Sequence, residues 1–185
     1  MLRRRFIVAL VLAVAFAGSS VFGQRSGSKS APAPAAPVIV LETARGTIEI
    51  ETYPTEAPKS VEHILALAKN NFYRGLRFHW VQPGVIQVGD PSSRDMTKQD
   101  AWGKGGSGSP IGVAEPSKRP FVRGSVGLAY RQDQRPVAAD SQIFILRIPN
   151  PALNNKYAMI GHVIKGMEVA DKIEMTDVIK SVSVK

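Results

Sequence analysis

The sequence predicts an all-β dominated domain: a closed antiparallel β-barrel with helical caps. Three observations predict it. Many short β-branched runs recur, turn chemistry separates them, and only two stretches show helical periodicity.

Val38–Thr43 is β-branched, Ala44-Arg45-Gly46 is a turn, and Thr47–Thr52 alternates, with Ile48 and Ile50 opposite Glu49 and Glu51. Two such runs about a short glycine-containing loop predict a hairpin with one wet face. Val61, Ile64, Leu65 and Ala68 recur at helical spacing. Pro58 suits the first turn of that helix and Asn70-Asn71 its end. Further strands are predicted at Arg77–Val81, Val85–Val88, Ser125–Ala129, Gln142–Ile148, Tyr157–Val163 and Asp177–Val184, with a short helix at Met167–Ile173. Phe78, Met159 and Ile160 are expected in the core and Trp102 packed against the barrel. Ser92–Pro120 has little periodicity and reads as a long surface loop, the kind that carries function.

Ahead of this domain, Arg3-Arg4-Arg5 precede an apolar run, Phe6–Ala17, and Val21-Phe22-Gly23 reads as a small-x-small cleavage site. That order predicts a secretory signal over residues 1–23 and an exported protein, periplasmic or secreted. The run is short for a membrane span; an uncleaved N-terminal anchor is the alternative. Residues 24–37 are a Ser/Ala/Pro-rich flexible linker, which leaves the folded domain as 38–185.

The 185 residues suit one domain. The absence of cysteine excludes disulfides, thiol nucleophiles and cysteine-held metal. The net charge of +9 comes from 24 basic against 15 acidic residues, and three of the basic ones sit in the signal. The rest are spread and not interleaved with aromatics, which argues against nucleic acid binding. His63, His79 and His162 have no metal-ligand spacing. His63 is expected on a solvated helix surface and His79 as a hydrogen-bonded structural residue. There is no G-x-S-x-G elbow and no P-loop. Gly103–Gly108 lacks a flanking strand and helix and reads as a flexible loop, not a phosphate cradle. No cofactor is implied.

Ordered fragments carry more information. They are Phe72-Tyr73-Arg74-Gly75-Leu76-Arg77-Phe78-His79, then Pro83-Gly84-Val85-Ile86-Gln87-Val88-Gly89-Asp90, then Arg123-Gly124-Ser125-Val126-Gly127-Leu128-Ala129. Ser141-Gln142-Ile143-Phe144-Ile145, Leu153 to Val163, and Gly166 to Ile173 follow. The series, from Val38 to Val184, resembles the cyclophilins, the cyclosporin-binding class of peptidyl-prolyl isomerase. The resemblance implies an eight-stranded antiparallel β-barrel capped by two helices. It also implies an X-Pro peptide groove on the outer face. Its expected partners are proline-containing peptides, unfolded protein segments and cyclosporin-like ligands.

Residue by residue, Phe144 matches the key phenylalanine of the family's proline pocket, Gln142 its neighbouring glutamine, and Gln87 the glutamine after P-G. Leu153 matches a pocket leucine and Ala129 an alanine whose backbone holds peptide. The phenylalanine after P-G is missing, so Val85 or Ile86 is expected to line that part. Tyr130 stands in place of asparagine, Tyr157 in place of histidine, and Ala152 where many members carry tryptophan. The largest departure is Trp80, where the family has its main catalytic arginine. Prolyl rotation faces a barrier of roughly 18–20 kcal/mol. A guanidinium beside the prolyl nitrogen lowers it, whereas an indole has one N–H and no charge. Arg131 and Arg135 read as solvated loop charges. The expected function is a weakened isomerase using Trp80, Gln87 and Phe144; a non-catalytic proline-peptide binding module is the alternative.

Overall fold

The computed structural model describes residues 35–130 and 135–185. The signal, most of the linker and Arg131 lie outside these. Strand β1 (Val38–Thr43) and β2 (Gly46–Thr52) form the expected hairpin, with Val38 opposite Glu51 and Thr43 opposite Gly46. Helix α1 (Pro58–Lys69) follows. Then come β3 (Trp80–Gln82), β4 (Val85–Val88), β5 (Ser125–Leu128), β6 (Ile143–Leu146) and β7 (Met159–Lys165). Helix α2 (Met167–Lys172) and strand β8 (Ile179–Val184) close the chain. Two 3-10 turns, Pro91–Arg94 and Met96–Ala101, interrupt the expected loop.

The eight strands form one antiparallel sheet in the order β3-β4-β6-β5-β7-β2-β1-β8. One face and the helices enclose the core, which includes Leu41, Ile48, Ile50, Val61, Ile64, Phe78, Ile86, Val126, Ile145 and Ile160. Burial of these side chains is the main favourable term.

The expected closed barrel is corrected to a curled, open half-barrel, because β3 and β8 share no ladder. The residues ahead of β3 meet those ahead of β8 at an isolated bridge, Arg77 to Val178. Ile179 donates to the Leu76 carbonyl (2.9 Å) and Phe78 to the Asp177 carbonyl (3.0 Å). At His79 the chain changes partner, and its N–H donates to the Gln87 carbonyl on β4 (3.2 Å). The strand expected over Arg77–Val81 is therefore split. The switch puts Phe78 and His79 both in the interior and turns Trp80 outward.

Helix α1 buries Ser60, Val61, Ile64 and Ala68, but its N-cap residue, Ala57, has no capping side chain. The cap comes from the long loop. Glu115 accepts from the Lys59 N–H (3.0 Å), the Ser60 N–H (2.8 Å) and the Ser60 hydroxyl (2.8 Å). Its charge also suits the positive end of the helix. Glu115→Ala should cost about 0.5–2 kcal/mol, the usual range for losing a cap. Urea unfolding monitors this directly, and an unchanged midpoint would mean that water replaces the carboxylate.

Candidate active site

Register explains which side chains meet. Across β3, β4, β6, β5 and β7 the pairs are Trp80 with Gln87, Gln87 with Phe144, Phe144 with Gly127, and Gly127 with Met159. Successive residues of a strand face opposite ways. The neighbouring row, Ile86, Ile145 and Val126, therefore faces the core. Steps of two residues along β6 add Gln142 and Leu146 to the outer row.

Of this outer row, Trp80, Gln87, Gln142, Phe144 and Leu146 line one cavity of about 580 Å³. Its walls include Trp80, Val85, Gln87, Ala129, Tyr130, Gln142, Phe144, Leu153 and Tyr157. So of the residues expected at the groove, nine come together and one does not. Ile86 is fully buried in the core, and Val85 alone takes the place of the missing phenylalanine. Ala152 is exposed and outside the lining, and Arg135 is exposed.

Under the floor lies a small apolar cluster of Phe121, Ala129, Phe144, Leu146 and Met159, with Leu153 and Tyr157 packed on it. Phe144 lies directly over Gly127. A Cβ there would sit 2.1 Å from the Phe144 Cζ, so only glycine leaves room for this ring. Trp80 stands at the rim with 46% of its surface exposed.

The polar part of the site is held by Gln142. Its Oε1 accepts from Gln87 Nε2 (2.7 Å) and pairs with His79 Nε2 (3.1 Å). Its Nε2 donates to the Gly103 carbonyl (3.0 Å) and the Gly105 carbonyl (2.7 Å). An amide has two donors and two acceptor sites, so Gln142 is saturated and its orientation fixed. Because Oε1 only accepts, His79 carries its proton on Nε2. Burial pushes His79 below its ordinary value, against the Asp90 charge and the Gln142 bond, so the ring stays neutral at pH 7.

Gly103–Gly108 is not the loose loop expected. Besides Gln142, it is gripped by two aspartates. Asp90 accepts from Gly105 N–H (3.0 Å) and Ser92 N–H (2.8 Å). Burial opposes the Asp90 charge, but these donors hold its carboxyl below the ordinary value. Asp140 accepts from the Ser107 hydroxyl and from Gly108 N–H (3.0 Å). A Cβ on Gly105 or Gly106 would fall 2.7 Å or 2.5 Å from those carboxylates, which is why glycine recurs here. Asp140 also pairs with His63 Nε2 (2.9 Å), so His63 is not the solvated surface residue expected. Trp102 lines the cavity and donates from Nε1 to the Ser92 carbonyl (3.0 Å).

Arg147, which the sequence did not single out, braces the site from behind. It donates to the carbonyls of Ala170 (2.8 Å), at the end of α2, and Gln82 (3.3 Å), in the β3–β4 hairpin. The arrangement can hold a compact apolar ring on Phe144, with hydrogen-bonding groups to one side. Rotation about an amide needs neither a nucleophile nor a proton shuttle.

Residues 38–185 match the family model described as cyclophilin type peptidyl-prolyl cis-trans isomerase. A probable peptidyl-prolyl cis-trans isomerase of Brucella abortus is 39% identical over 173 residues, covering 91% of this chain and 86% of that protein. The peptidylprolyl isomerase domain and WD repeat-containing protein 1 of Mus musculus is 33% identical over 135 residues, covering 72% of this chain but 20% of that protein. Among solved structures, a cyclophilin type isomerase of Cryptosporidium parvum, crystallised in the presence of the dipeptide Ala-Pro, superposes with a TM-score of 0.68. It is 24% identical and covers 80% of this chain and 98% of that one, a likeness of fold. Among the described residues, no helix is long and apolar enough to cross a membrane. With the fold, the ordered motifs and these matches in agreement, the chain belongs to the cyclophilin-type peptidyl-prolyl cis-trans isomerase family.

Proposed function

We propose that the cavity on β3, β4, β5 and β6 is the X-Pro groove of an exported isomerase, with activity reduced by Trp80. The observation that carries it is Phe144. It is an apolar floor of prolyl size, backed by Phe121 and Met159 and flanked by the amide of Gln87. A proline seated on Phe144 loses water, and desolvation weakens amide resonance at the nitrogen. Gln87 offers its remaining side-chain N–H to the peptide, while Gln142 orients Gln87. Val85, Leu153 and Tyr157 bound the ring, and Ala129 and Tyr130 run beside the peptide backbone. Unfolded protein segments bearing proline are the natural ligands. Cyclosporin-like macrocycles are a further class.

Export follows from the basic, apolar and small-residue order of residues 1–23. Uncatalysed prolyl isomerisation takes tens to hundreds of seconds, so a folding assistant outside the cytoplasm has work to do. Trp80 also favours a second reading, a binding module that grips proline without turning it over.

Phe144→Ala tests the groove. Removing a packed phenylalanine costs roughly 3–5 kcal/mol. Affinity for an Ala-Pro-containing tetrapeptide should therefore fall at least tenfold, together with any isomerase activity. A folded variant that binds as the parent does would place the ligand elsewhere. A parent that binds but does not catalyse would select the second reading.

A further inference from the structure

We propose that the stacked pair Tyr130–Tyr157 is a selectivity shelf, favouring X-Pro peptides whose residue before proline is aromatic. This rests on the reading of the cavity as a proline-peptide groove.

Four rings run without a break from the buried cluster to the cavity wall. Phe121 and Phe144 lie 5.9 Å apart between centroids, and Phe144 meets Tyr157 edge to face at 5.7 Å and 87°. Tyr157 stacks on Tyr130 at 4.6 Å and 24°. The inner rings form the floor on which a proline sits. The outer two border the same cavity and are only partly buried. Tyr130 follows Ala129, whose N–H is fixed to the Gln142 carbonyl (2.8 Å), so the shelf is anchored to the sheet. Burial, with Tyr157 beside it, pushes the Tyr130 hydroxyl above its ordinary value, so this ring presents a neutral face.

A prolyl ring fills only part of about 580 Å³. Trp80 and the tyrosine pair border the same cavity, so a planar apolar group in the remaining space has aromatic walls. Among the described residues, Asp140 is the one carboxylate lining the cavity, and it is already engaged by His63, Ser107 and Gly108. Aromatic contact beyond area burial is worth about 2- to 12-fold in affinity.

Titration calorimetry with Ala-X-Pro-Phe peptides, X being Ala, Leu or Phe, reads the shelf with or without turnover. The parent should bind the Phe-Pro peptide about 2- to 12-fold more tightly than the Leu-Pro peptide. The leucine arm separates stacking from mere apolar size. Tyr130→Leu should erase that preference, and Tyr130→Phe should keep it. A parent that binds all three peptides equally, or prefers leucine, overturns the shelf alone. So does a Tyr130→Leu protein that keeps the preference. If no peptide binds at all, the groove reading falls and the shelf falls with it. The parent's own Phe-to-Leu ratio decides even if Tyr130→Leu fails to fold.

Discussion

Trp80→Arg should raise kcat/KM for X-Pro peptides by up to about 100-fold, the worth of one well-placed donor of roughly 3 kcal/mol. The geometry is prepared for it. Position 80 opens β3 at the cavity rim, directly across from Gln87. The nearby acceptor Gln142 Oε1 already holds Gln87 and His79, so a guanidinium would meet little competition from the protein. Its donors would be left for the peptide. A protease-coupled isomerase assay on parent and variant decides it. Unchanged turnover in a folded variant that still binds peptide would mean that the arginine was not the missing element.

Gly127→Val should act in the opposite direction. The introduced Cβ would lie 2.1 Å from Phe144 Cζ and 2.6 Å from Cε1, closer than side chains approach. Either the ring swings up into the cavity or the β5–β6 ladder spreads. Overpacking of this kind costs about 1–3 kcal/mol of stability. With the floor displaced, peptide affinity should drop tenfold or more. A double-mutant cycle isolates the cause. In a Phe144→Ala background the same glycine change should cost little more. Equal penalties in both backgrounds would show that Gly127 matters for the strand and not for the ring.

Much of this was legible in the residues. The hairpin at Ala44-Arg45, helix α1 and strand β4 follow from local alternation, helical spacing and turn residues, which act within a few positions. Phe144, Gln87 and Leu153 were found through ordered motifs. What escaped depends on partners far along the chain. Nothing near Ile86 says that it pairs with Ile145 in the core row while Val85 faces outward; that is settled by register with β6. The break at His79 comes from a change of partner, from Asp177 to Gln87, which alternation within Arg77–Val81 cannot reveal. Glu115 caps a helix more than fifty residues before it. His63 looked solvated because Asp140, its partner, is 77 residues away.

The split before β3 also bears on how the molecule behaves among other extended chains. An uncovered strand edge is a template on which foreign backbone can grow. Here the edge at Trp80–Gln82 is three residues long and runs into Pro83 and Gly84. That is too short to hold another chain in register. A peptide arriving at Trp80 is therefore offered the groups of the neighbouring hollow and not a strand edge to extend, because pairing at the edge gives it too few bonds. At this edge of the sheet, then, a foreign chain finds no ladder long enough to lengthen into an aggregate.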